Sequence, residues 1–168
     1  MADGQQYCTF FVAGQYFGLE VLKVQEIIGY QPMTRVPLAP RMVCGLINLR
    51  GQIVTVIDMR RRLQMPTRPV DCVPVNVVVN VDGGAVTLLV DEIGDIVEVA
   101  EGAFERPPET LRASARELIR GAYKLKDRLL LILDPNKIVT PDAGETTSTA
   151  LVSLKHPSPV AGLLEHSS

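Results

Sequence analysis

The chain has 168 residues and a formal net charge of −2, so it has no overall field to attract polyanions; with aromatic residues at 5% and no Trp, it also lacks platforms for stacking unpaired bases. That length suits one domain with a sizeable core, or two small barrels packed together, and is too short for a receptor or a multidomain kinase. Cys8, Cys44 and Cys72 are odd in number and show no Cys-x-x-Cys spacing, which argues against a disulfide framework or a zinc site and for small hydrophobes in a reducing compartment.

Residues 1–6 carry no basic start followed by an apolar stretch and are read as a flexible N-terminus. No run reaches the roughly 18 apolar residues of a membrane span, so a cytoplasmic location is expected. Strands are predicted near Tyr7 to Val12 and Gln15 to Leu19 around Ala13-Gly14, then a turn of helix over Glu20 to Lys23 and a strand from Val24 to Ile28. From Gly45 to Met59, two apolar runs, Leu46 to Leu49 and Ile53 to Ile57, flank Arg50-Gly51; glycine takes positive φ there, and Arg50 points away from the core as a rigid, exposed guanidinium. Asp58 reads as a helix cap, and Arg60-Arg61-Arg62 as a solvated helix face that strengthens a positive patch beside Arg50.

Val73, Val75, Val77, Val79 and Val81 alternate with Pro74, Asn76, Val78, Asn80 and Asp82, the period of a strand with one face buried, and Asp82-Gly83-Gly84 closes a hairpin. Asp134-Pro135 has the form of a helix cap with proline in the first turn. After Pro141 the chain turns rich in Ser, Thr, Gly and Pro, and residues 141–168 are expected to be disordered.

The two halves repeat. Gly14, Leu19, Val21 and Ile28 align with Gly83, Leu88, Val90 and Val97 at a constant offset of 69 (14 to 83), which sets Glu26 on Asp95. Gly45, Leu49, Ile53, Asp58 and Leu63 align with Gly121, Leu125, Leu129, Asp134 and Val139 at an offset of 76 (45 to 121), which sets Arg50 on Lys126. The change in offset places a seven-residue insertion near Arg106 to Thr110. Many short strands with glycine turns, present twice, argue for an all-β protein of two barrels.

Catalytic chemistry finds little support. His156 and His166 both lie in the tail, no Gly-x-Ser-x-Gly occurs, and Asp82-Gly83-Gly84 lacks the lysine and helix of a phosphate loop. Asp58 and Asp91 can serve a hydrolase only if they meet in an open cleft.

Phe17 to Ile28, the Gly45 to Met59 run and Leu88 to Val97 resemble, in order and spacing, three blocks of the CheW-like domain family, a resemblance covering roughly residues 7 to 139. Thr55 and Thr87 depart from it, standing where proline and glycine are common. The resemblance implies two pseudo-symmetric, five-stranded, SH3-like β-barrels with short connecting helices in one domain over 7–140, the first barrel about 7–66 and the second about 72–139. It implies a non-enzymatic adaptor with no cofactor. Its partners are the cytoplasmic tip of a methyl-accepting chemoreceptor and the regulatory domain of a CheA-type histidine kinase, within arrays at the membrane that govern swimming or a non-flagellar output. The receptor-binding residues that carry over are Val21, Val24, Glu26 and Arg50, with Ile28 as a neighbour; Gly45, Asn48 and Gly51 either contact a partner or shape the hairpin. An oligonucleotide-binding barrel is the alternative from another class.

Overall fold

A computed structural model of the protein describes residues 4–100 and 104–140. The expectation for the tail over 141–168, and the histidines within it, lie outside the described residues. In chain order the elements are strands β1 (Gly4–Val12) and β2 (Gln15–Glu20), a 3-10 turn (Val21–Lys23), β3 (Val24–Gly29), β4 (Val43–Leu49), β5 (Gln52–Asp58) and helix α1 (Met59–Arg62). The second half gives β6 (Val75–Val81), β7 (Gly84–Val90), β8 (Glu92–Ala100), β9 (Phe104–Glu105), α2 (Ala113–Arg116), β10 (Ile119–Lys124), β11 (Leu129–Leu133) and α3 (Pro135–Ile138). Residues 4–6 are not a flexible lead: Gly4, Gln5 and Gln6 extend β1 and pair with Ala100, Val99 and Glu98.

The fold is all-β, in two sheets with strand orders β8-β1-β2-β11-β10-β9 and β3-β6-β7-β5-β4. The expectation of two five-stranded barrels is corrected in number and closure: among the described residues one sheet has six strands, and in neither do the edge strands pair to complete a ring. The expected division into barrels at 7–66 and 72–139 is corrected too, because each half lends its first hairpin to the other half's sheet. β1 and β2 join β8, β10 and β11, while β6 and β7 join β3, β4 and β5. The exchange preserves the repeat except at β9, whose place in the other sheet is taken by the isolated Thr34↔Leu46 bridge. The parallel pairs Thr55↔Val86 and Val56↔Thr87 reappear as Leu131↔Phe17 and Ile132↔Gly18, at the same two offsets. Even the β-bulge between Val43 and Gly45 has its copy between Ile119 and Gly121.

Alternation along the strands sorts apolar side chains into three clusters. The largest lies between the sheets and includes Phe10, Phe17, Leu19, Ile57, Leu88, Leu131 and Leu133. Ile47, Leu49, Val54, Val56, Val78 and Leu89 fill the other face of the five-stranded sheet. Tyr7, Val99, Tyr123, Leu130 and Ile132 do the same for its mate. The side chains of Thr55 and Thr87 are wholly buried, and neither hydroxyl has a partner among the described residues. Thr55→Val keeps the shape and removes an unpaired polar atom, so it should stabilise by about 1 kcal/mol and raise the thermal midpoint by roughly 2–4 °C. A calorimetric scan showing a lower midpoint contradicts this.

The cysteines behave as small hydrophobes. Burial raises the Cys8 thiol above its ordinary value and pushes Cys44 up to about 12, so neither is a ready nucleophile; Cys72 is half-buried.

Candidate functional site

Leu49 and Gln52 close the β4–β5 hairpin across Arg50 and Gly51. Gly51 has φ of +84°, and Arg50 itself takes φ of +52°, a conformation foreseen from the sequence only for the glycine. Two successive positive φ angles match the right-handed twist of the flanking strands, and the Asn48 Oδ1 accepts the Gly51 N–H at 2.8 Å to hold the turn. Asn48 therefore shapes the hairpin. Gly45 instead makes room for the segment docked on β4: a Cβ there would stand 2.8 Å from the Met33 Cβ and 2.9 Å from the Thr34 carbonyl oxygen, where Thr34 bridges to Leu46. The other half needs the same clearance, since a Cβ on Gly121 would collide with the Phe104 ring and the Glu105 carbonyl.

Arg50 extends from this turn with its side chain 71% exposed. Its Nη1 and Nη2 donate to the two carboxylate oxygens of Glu26 at 2.5 and 2.6 Å. Glu26 lies on β3 and Arg50 follows β4, the two edges of the five-stranded sheet, so the pair spans the seam that backbone bonds leave open. Hydrogen bonding to Arg50 holds the Glu26 carboxyl below its ordinary value against a smaller opposing effect of burial. A bidentate pair fixes the guanidinium plane and leaves its outer edge to solvent.

The other predicted contact residues are less accessible than the arginine. Val24 packs on the core between the sheets and Ile28 on the core of the five-stranded sheet, while Val21 is half-buried in the 3-10 turn. The exposed apolar side chains nearby are ones the sequence did not single out, Leu22 at 88% and Ile27 at 43%. Ile27 alternates with Glu26 and Ile28 along β3, and that opposite orientation was the available signal. The repeat's second copy of the charged pair is absent: Lys126 and Asp95 form no ion pair among the described residues. There the turn runs from Leu125 to Arg128, and the Arg128 guanidinium lies over the rings of Phe11 and Tyr16.

Asp58 and Asp134 cap α1 and α3, accepting from the N–H of Arg60 and Asn136. Arg60-Arg61-Arg62 is not a solvated face. Arg62 is 4% exposed and donates to the carbonyls of Ile138, Lys137 and Thr140, joining α1 to α3. Arg60 donates through Nε and Nη2 to Asp91, with the shortest contact 2.6 Å. Only Arg61 is substantially exposed, with 45% of its side chain accessible. The repeat held the signal for Arg62, whose counterpart is the apolar Ile138.

Asp58 and Asp91 do come together, through Arg68, whose Nη2 lies 3.3 Å from Asp58 and whose Nε lies 2.7 Å from Asp91. Both are ligands of guanidinium groups, not an acid–base pair in a cleft. Burial pushes Asp91 upward, but hydrogen bonds from Arg60, the Ala13 N–H and Arg68 outweigh it and hold the carboxyl below its ordinary value. Among the described residues no group of three His, Cys, Asp or Glu is placed to hold a metal, and no helix is long and apolar enough to cross a membrane.

Fold and site together define a duplicated two-sheet β module that presents one paired guanidinium on a tight turn. The chain belongs to the CheW-like domain family, whose model matches residues 6–142. It is 31% identical over 137 residues to the chemotaxis protein CheW of Klebsiella aerogenes, covering 82% of each chain. To the chemotaxis protein CheW of Bacillus subtilis it is 31% identical over 143 residues, covering 85% of this chain and 92% of that one. The crystal structure of the scaffolding protein TtCheW from Thermoanaerobacter tengcongensis superposes with a TM-score of 0.75 at 25% identity, over 85% of this chain and 97% of that one. The protein is a non-enzymatic adaptor of the chemotaxis type.

Proposed function

We propose that the chain couples the cytoplasmic tip of a methyl-accepting chemoreceptor to the regulatory domain of a CheA-type histidine kinase, within arrays on the cytoplasmic side of the membrane. The observation that supports this most is the Arg50–Glu26 pair: a guanidinium in fixed orientation, carried on a stiff turn and open to solvent along one edge. A helical hairpin offers carboxylates and amides at regular intervals, and a planar fork can take two of their oxygens at once, which sets register. Glu26 aims the fork and shares its charge. Val21, with the exposed part of Val24 and Ile28, supplies apolar contact beside it. Asn48 and Gly51 act by shaping the hairpin, and Gly45 by letting the Met33-Thr34 segment dock on β4.

Tethering receptor and kinase turns their encounter into an effectively intramolecular event, so no chemistry is required of the adaptor. Arg50→Ala leaves the fold intact, because the side chain is mostly exposed, and weakens association with receptor and kinase by roughly 2 kcal/mol or more. Co-sedimentation of the three components reads this directly; recovery equal to that of the unaltered protein contradicts the reading.

A further inference from the structure

Beneath α1 and the segment that follows it lies a polar cavity of about 460 Å³. Its lining includes Arg41, Arg60, Arg61, Arg68 and Arg112, with Asp58 as the one carboxylate. Asp91 neutralises part of this charge from behind, through Arg60 and Arg68. Five guanidiniums against two carboxylates leave a surplus of three positive charges within a chain whose net charge is −2. Nothing in the adaptor function uses that surplus.

The arginines are of two kinds. Side chains of Arg60 and Arg68 are only 12% and 10% exposed and are locked by Asp91, so they form a fixed floor. Arg41 and Arg112 are exposed, Arg61 is nearly half exposed, and all three stand at the rim. The Arg41 guanidinium makes no ion pair or hydrogen bond among the described residues. Arg112 donates only to the Gln64 carbonyl at 3.3 Å, and Arg61 has a 3.8 Å contact with Asp58 and a 3.4 Å bond to the Arg41 carbonyl. These are weak engagements that an anion can displace.

We propose that this cavity binds a small oligophosphate, either free or as the phosphate chain of a nucleotide. Its volume lies within the roughly 300–1,000 Å³ usual for small-molecule sites. Guanidinium forks match phosphate oxygens in pairs, and a pre-set floor lowers the ordering cost of binding. An oligophosphate carries several negative charges on adjacent groups and balances the surplus, which a single carboxylate does not.

The test is isothermal titration of the full chain with sodium tripolyphosphate, ATP and adenosine, with sodium sulfate at matched ionic strength as the control. Tripolyphosphate and ATP should bind saturably at one site; tighter binding of ATP marks the nucleotide as the ligand class, and equal binding marks the phosphate chain. Adenosine and sulfate should give no saturable heat. The double variant Arg41→Gln/Arg61→Gln removes rim charges without touching the buried pairs, and should weaken binding by at least about tenfold, as losing one charge-assisted bond does. Lys126→Gln, on the β10–β11 hairpin, should bind as the unaltered protein does. No saturable binding into the millimolar range, a sulfate response equal to tripolyphosphate, or a double variant that melts normally and binds undiminished overturns the proposal.

Discussion

Asp91→Asn is expected to destabilise the protein by about 3–5 kcal/mol, the cost of removing one partner from a largely buried ionic network. The carboxylate is 11% exposed and accepts from Arg60, Arg68 and the Ala13 N–H. It ties the β1–β2 turn, α1 and the segment after α1 to the end of β7, so without it two guanidiniums stay buried with only Asp58 and carbonyls for company. The same residue sets an acid limit. In the folded protein its carboxyl lies below the ordinary value of 3.8, so between the two values the unfolded chain binds a proton that the folded chain refuses. Stability from this group is therefore complete above that ordinary value and is lost as pH falls through the lower, folded one. Urea titrations across the acid range should show this slope in the unaltered protein and a shallower one in Asp91→Asn. Parallel slopes contradict the assignment.

Arg62→Ala is expected to cost about 3 kcal/mol, because it orphans buried carbonyls at the end of α3 as well as leaving a cavity. For a chain of this length that corresponds to a fall in thermal midpoint of about 10 °C. Arg61→Ala is the control, one residue earlier on the same turn but half exposed, and should change stability by no more than about 0.5 kcal/mol. Equal shifts in the two variants would show that Arg62 is not the clamp between the halves.

The tight turn at Arg50-Gly51 and the caps at Asp58 and Asp134 were legible in the sequence, since each depends on residues a few positions apart; the alternation through β6 was not, because Asn76 and Val78 are as fully buried as Val77 and Val79 and the strand is covered on both faces. The repeat was legible for a different reason: two offsets, 69 and 76, survive in the apolar positions that both halves must bury. Even the change of offset was informative, because α2 follows close behind the prolines where the insertion was expected.

Composition, periodicity and local turn chemistry thus determined that this is a duplicated β protein with a cation displayed on a hairpin. Only the tertiary structure decided which strands share a sheet, because a hairpin satisfies its own short-range bonds whichever half it joins; the exchange of β1–β2 with β6–β7 depends on parallel pairings between distant segments. Only it decided, likewise, that Arg50 meets Glu26 across an open seam while Arg60 and Arg62 turn inward. A guanidinium's role follows from which carboxylates and carbonyls lie within its reach, and for these side chains those groups are 24 to 78 positions away along the chain.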